Sequence, residues 1–91
     1  MVKYSRLEIY FNILEVIENG VTKPVQIMHN INVSYAILQD ILKSLKKSGF
    51  IVEEIKNSAK RYQITEEGIN ALSYYLKSLN SSVESKDIFV K

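Results

Sequence analysis

The chain has 91 residues, enough for one small hydrophobic core and too few for two. It is 46% hydrophobic and 24% charged, a globular balance that excludes intrinsic disorder, and its net charge of +2 is too small to argue for any partner by itself. The absence of cysteine excludes disulfides, thiol catalysis and cysteine-bound zinc; no stretch reaches the roughly 18–20 apolar residues of a membrane span, so a cytoplasmic protein without a membrane partner is expected.

The first helix is expected over residues 5–19. Ser5 can cap it, Glu8 stands three residues later as in a capping box, and Gly20 can close it. Leu7, Tyr10, Phe11, Leu14 and Ile17 form one apolar stripe, and Ile9, Ile13 and Val16 form a second beside it. An ordinary surface helix has one stripe, so this helix should be covered on two sides.

"GVTKP" is a turn, and Pro24 suits the first position of a short helix over residues 24–30. "NINV" follows as a tight turn whose asparagines tolerate left-handed backbone. Ser34 then caps a third helix, residues 34–48, that ends at Gly49. Its apolar side carries Ile37, Leu38, Ile41, Leu42 and Leu45. Ala36, Gln39 and Lys43 lie opposite, flanked by Tyr35 and Lys46.

"FIVEEI", residues 50–55, is β-branched and aromatic and reads as a strand; "KNSAK", residues 56–60, is a small polar hairpin tip. "RYQIT", residues 61–65, alternates Tyr62 and Ile64 against Arg61 and Gln63, as a half-buried strand does. Thr65 caps a last helix over about 66–80, with Ile69, Leu72, Leu76 and Leu79 at 3-4-3 spacing. Residues 81–91 are expected to be a loose tail, with Ile88 and Phe89 as docking candidates.

The order is three helices, a two-stranded hairpin and a helix: mainly α with a small β-hairpin, in one domain over residues 1–80. Three phrases carry a resemblance. "SRLEIYFNILEVIENG" looks like the first helix of small archaeal winged-helix proteins. "KPVQIMHNINVSYAILQDILKSLKKSGFI" resembles their helix-turn-helix. "RYQITEEGINAL", a Tyr-x-x-Thr-x-x-Gly phrase, resembles the second wing strand and the start of the last helix. The set resembles the winged helix-turn-helix family. That resemblance implies double-stranded DNA as partner, helix 34–48 as recognition helix in the major groove, and wing 56–61 on the flanking backbone or minor groove.

The residues give their own support. Gln39 can pair with adenine N6 and N7, and Ala36 can meet a thymine methyl. Ser34 and Tyr35 stand at the end that recognition helices present to DNA, and Lys43 and Lys46 can neutralise phosphates. Lys56, Asn57, Ser58, Lys60 and Arg61 make a basic wing with a tip small enough for a groove. Six of the twelve basic residues, Lys43, Lys46, Lys47, Lys56, Lys60 and Arg61, fall between 43 and 61 against two acids, Glu53 and Glu54. Asp40, at the edge of this face, opposes it unless paired with Lys43 or Lys47.

Other chemistry is not expected. His29 is the single histidine, too few ligands surround it for a metal, and no nucleophile–base pair or phosphate loop is present. The chain reads as a non-enzyme without cofactor or evident small-molecule ligand. The excess apolar surface points to a homodimer through the last helix, with Ile9, Ile13 and Val16 of the first helix packed against Ile69, Leu72, Tyr75, Leu76 and Leu79. The expected function is a transcription regulator. The rivals are a winged-helix module that docks a protein partner in transcription or replication, and a non-specific chromosome-associated protein.

Overall fold

The computed structural model describes residues 6–90, with side chains as far as Leu79. Six elements follow in the expected order: α1 (Arg6–Glu18), α2 (Pro24–Ile31), α3 (Tyr35–Lys47), β1 (Ile51–Lys56), β2 (Ala59–Ile64) and α4 (Glu66–Val90). Ser5, the expected cap of the first helix, lies outside the described residues.

Local chemistry explains the turns. Pro24 opens α2, and Asn32 closes it in the left-handed conformation at φ 63°. The Ile37 N–H donates to the Ser34 side chain at 3.2 Å, which starts α3. The hairpin is tighter than the sequence suggests. Lys56 and Lys60 both lie in strands, and only Asn57 and Ser58 form the turn, at φ 51° and 65°. Positive φ at both central residues gives a two-residue turn whose twist matches the paired strands, so pairing continues to its edge. The strands are antiparallel, with Glu53 opposite Tyr62 and Glu54 opposite Arg61.

The core gathers one side of every element. Ile13, Leu14 and Ile17 of α1 meet Ile27 of α2 and Leu38, Ile41, Leu42 and Leu45 of α3. Ile51, Tyr62 and Leu72 close it from the hairpin and α4. Each fully buried aliphatic side chain contributes roughly 1.5–3 kcal/mol. Two residues expected at a dimer interface therefore belong elsewhere. Ile13 is fully buried and Leu72 is 2% exposed within the single chain, because both already belong to its own core, where α4 packs on α1 and β2. Ile9 and Val16 are half-buried against this core, whereas Ile69, Leu76 and Leu79 stay exposed.

The last helix also differs from expectation. It continues past Asn80 to Val90, 25 residues in all. After Gly68 the sequence holds no glycine or proline, so nothing in it breaks the helix at 80. Residues 81–90 of the expected tail fall within this helical stretch, while Lys91 and the side chains of Ile88 and Phe89 lie outside the described set.

A single junction joins the wing, the end of α3 and the start of α4. Gly49, at φ 82°, turns the chain out of α3. The Thr65 hydroxyl donates to the Gly49 carbonyl at 2.6 Å and accepts from the Gly68 N–H at 3.0 Å. The Thr65 N–H donates to the Phe50 carbonyl at 2.9 Å. Gly68 packs so closely that a Cβ there would fall on the Phe50 carbonyl oxygen and within 2.7 Å of Ile64 Cγ1. The Phe50 carbonyl is part of the backbone and cannot swing aside. Gly68→Ala is expected to destabilise the protein by about 1–3 kcal/mol, as other overpacked sites do. Urea unfolding should show a lower midpoint with an unchanged slope.

Candidate nucleic-acid interface

At about 100° per residue, the buried side of α3 is centred on Leu38 and Leu45. The opposite direction is marked by Ala36, Asp40, Lys43 and Lys47, all exposed. Gln39 and Lys46 lie towards the wing. The side chains at the start of the helix, Ser34 and Tyr35, are also exposed, with Tyr35 at 55%.

The wing leans over this helix and leaves a hollow of about 330 Å³, lined by Gln39, Asp40, Leu42, Lys43, Lys46, Glu53, Lys60 and Tyr62. The pairing register explains which wing residues reach it. Glu53 and Tyr62 face each other and share one side of the hairpin with Ile55 and Lys60, while Glu54 and Arg61 occupy the other. Lys46 Nζ donates to Glu53 Oε1 at 2.9 Å, and the Tyr62 hydroxyl lies 3.4 Å from the same oxygen. Chiefly through Lys46, the Glu53 carboxyl is held below its ordinary pKa. Glu54 instead meets Gln63.

A second hollow, about 500 Å³, adjoins the first. Lys60 lines both, and Tyr35 here meets Lys23, Pro24, Val25, Gln26 and Ala59. The start of α2 therefore joins the start of α3 and the wing on one surface. Lys23 and Gln26 were not among the expected site residues. Lys23 stands directly before Pro24 in the sequence, and the side chains of Lys23 and Gln26 are both exposed.

The structure thus brings together Tyr35, Gln39, Lys43, Lys46 and Lys60, with Ser34 and Ala36 on the same helix. Lys56, Asn57 and Ser58 are exposed at the far end of the hairpin. Arg61 does not join the hollow. It points to the opposite side of the wing, and its Nε is buried without a hydrogen-bond partner. Asp40 also differs from expectation. It stands near the middle of the outer side of α3, and its partner is Arg6 of α1, not Lys43 or Lys47. The helical spacing allowed a lysine of the same helix to reach it, but packing brings the arginine of another.

Acids near the hollow are thus engaged: Asp40 by Arg6 and Glu53 by Lys46. Among the described residues, Lys43, Lys47 and Lys60 form no ion pair. No three His, Asp or Glu side chains among the described residues converge as a metal site. No described helix is long and apolar enough to cross a membrane.

The sequence profile of the winged helix-turn-helix family matches residues 3–82. The chain belongs to this family. Winged-helix proteins of solved structure share its fold. Sso10a-2, a DNA-binding protein from Sulfolobus solfataricus, is 23% identical, with a TM-score of 0.70 over 92% of this chain and 90% of its own. A transcriptional regulator from Clostridium thermocellum is 22% identical, with a TM-score of 0.81 over 99% of this chain and 100% of its own. ZitR of Lactococcus lactis, solved in complex with DNA, is 15% identical with a TM-score of 0.70; the match covers 94% of this chain and 60% of ZitR. No curated protein sequence matches the chain.

This winged helix-turn-helix protein carries a titratable group at the wing base whose effect can be measured. Burial, then the Glu53 carboxylate, push the Tyr62 phenol up to about 12. An unfolded tyrosine titrates near 10, so folding favours the neutral phenol. Its stabilisation is complete below about pH 10 and is lost as pH rises towards about 12. Tyr62→Phe is expected to flatten this alkaline fall in stability. Thermal unfolding of both proteins between about pH 9 and 12 measures the difference.

Proposed function

We propose that the protein binds double-stranded DNA and regulates transcription, with α3 in the major groove and the wing on flanking backbone or minor groove. The observation that carries this reading is the convergence of Lys43 and Lys60, both outside any ion pair among the described residues, on the hollow beside Gln39. Lysines at a helix and a wing that face the same way can follow a phosphate backbone, which positions the protein without reading sequence. Gln39 can read adenine through N6 and N7, and Ala36 can meet a thymine methyl. Lys23 and Tyr35, on the adjoining hollow, extend the phosphate contacts past the start of α3. The DNA-bound state of ZitR, which shares the fold, fits this reading, as does Sso10a-2, a DNA-binding protein.

The acting form is a homodimer. A single chain leaves the Ile69, Leu76 and Leu79 side of α4 exposed. Tyr75 stacks on Phe11 at 4.2 Å, and beyond this contact a narrow hollow of about 140 Å³ between the two helices is edged by Leu76 and Leu79. The helix spans roughly 37 Å at 1.5 Å per residue, far more than its own α1 can cover. A second copy of α4 presents the same apolar side, which makes a two-fold pairing self-complementary. Ile9 and Val16 border a further hollow of about 570 Å³ with Asn30 to Val33 and flank this region. Two recognition helices would face successive major grooves about 34 Å apart, and the preferred site would be an inverted repeat.

Fluorescence anisotropy with random and selected duplexes tests the DNA reading. Affinity should fall steeply with salt, and Lys43→Glu combined with Lys60→Glu should abolish binding at about 0.1 M salt; each lost phosphate contact lowers the salt slope by about one. Unchanged binding, or none by the native protein at low salt, would favour a surface that docks another protein. Preference for one site by a factor of about 10³ or more would mark a regulator rather than a non-specific chromosome protein. Leu76→Glu combined with Leu79→Glu should convert a dimer to a folded monomer. Light scattering for mass and circular dichroism for helix content decide this.

A further inference from the structure

Asp40 presents a problem for a DNA face. It stands on the outer side of α3, three residues before Lys43, and lines the same hollow as Gln39 and Lys60. A free carboxylate there would repel phosphate. It would also capture Lys43, since residues three apart on a helix are neighbours.

The structure supplies a different partner. Arg6, at the start of α1, gives Nη2 to Asp40 Oδ2. Its Nε reaches the Tyr10 hydroxyl at 3.4 Å, and the guanidinium carbon lies 5.7 Å from the centre of the Tyr10 ring. The Tyr10 hydroxyl also lies near Ser44 of α3, which with Arg6 lowers its pKa from the ordinary value. Tyr10 thus steadies the arginine that meets Asp40. Both members of the ion pair are more than half exposed, Arg6 at 56% and Asp40 at 59%. Exposed pairs add little to stability. The pair is therefore better accounted for by what it does to the field of this surface than by what it adds to the fold.

We infer that Arg6 is a positioning residue for DNA binding: by engaging Asp40 it keeps Lys43 free for phosphate and makes the outer side of α3 basic. This rests on the DNA-binding reading above. The first helix, which enters no groove in that reading, thereby sets the charge of the helix that does.

Four proteins test it by anisotropy titration on one duplex at two salt concentrations: native, Arg6→Gln, Asp40→Asn and the double variant. Arg6→Gln should weaken binding about fivefold, the size of an exposed charge interaction, and lower the salt slope as Lys43 turns to Asp40. Asp40→Asn should bind at least as tightly as the native protein. In the Asp40→Asn background, Arg6→Gln should change affinity less than twofold, and all four should share one unfolding temperature. A merely structural role would lower that temperature and would not be rescued by Asp40→Asn. Native-like binding by Arg6→Gln overturns the inference while leaving the DNA reading intact. An equal loss in both backgrounds also overturns it, because Arg6 would then touch DNA directly. Failure of the native protein itself to bind defeats the DNA reading, and the inference with it.

Discussion

The Thr65 hydroxyl is the fastening on which the layout of this molecule depends. It gives its proton to Gly49, where α3 ends, and accepts from Gly68, where α4 begins. The Thr65 amide binds Phe50 at the base of the wing. Gly68 has no Cβ, which lets α4 lie directly on the Phe50 carbonyl. A helix end, a hairpin base and a helix start therefore share one small cluster of backbone groups. Tyr62 adds a second tie, since its N–H donates to Thr22 at 3.0 Å and joins the wing to the turn before α2. The wing cannot pivot about α3 without breaking these bonds, so the spacing of Lys60 from Lys43 is a property of the fold.

On that frame, the electrostatics follow from pairing rather than from totals. A net charge of +2 in 91 residues gives little field by itself. What matters is that Asp40 and Glu53, the two acids bordering the hollow, are each held by a base, one from α1 and one from α3. Glu53 also sits beneath the phenol of Tyr62, so its partner Lys46 is tied to the wing base and is less free to follow a phosphate than Lys43 or Lys60. The surface is basic because its acids are engaged, and this is consistent with a modest overall charge.

The order of elements was legible because each is punctuated by residues with one strong preference. Pro24, Ser34, Gly49 and Thr65 mark starts and stops through backbone chemistry that acts over three or four residues. The phrase Tyr62-x-x-Thr65-x-x-Gly68 was visible as a pattern, and the junction gives its reason: a core anchor, a shared hydroxyl and a missing side chain. The turn at Asn57 and Ser58 looks longer in the sequence than it is because neither residue is glycine, the usual marker of a two-residue turn. The Arg6–Asp40 pair was out of reach because it joins residues 34 apart, and periodicity within one helix can suggest only partners on that helix. The orientation of Arg61 depends on packing for a related reason. Alternation says that Arg61 and Tyr62 face opposite ways, but only the packing of Tyr62 into the core says which way is outward. Ile13 and Leu72 read as interface residues in the sequence because an apolar stripe does not reveal whether its cover comes from the same chain.

The same junction bears on how a dimer would read DNA. α4 begins at Thr65 and Gly68, on the backbone that ends α3 and starts the wing. In the proposed dimer, α4 is also the element that meets the second copy. The path from one recognition helix to the two-fold axis then passes through a few hydrogen bonds and one close packing contact, with no flexible linker between. Protein interiors transmit displacement because they are close-packed. A change in the crossing angle of the paired α4 helices would therefore be carried to both α3 helices as a change in their separation, and half-site spacing is what a dimeric recognition helix measures. In the proposed dimer, the stiffness that Gly68 provides within one chain would become, across two, the ruler for the site.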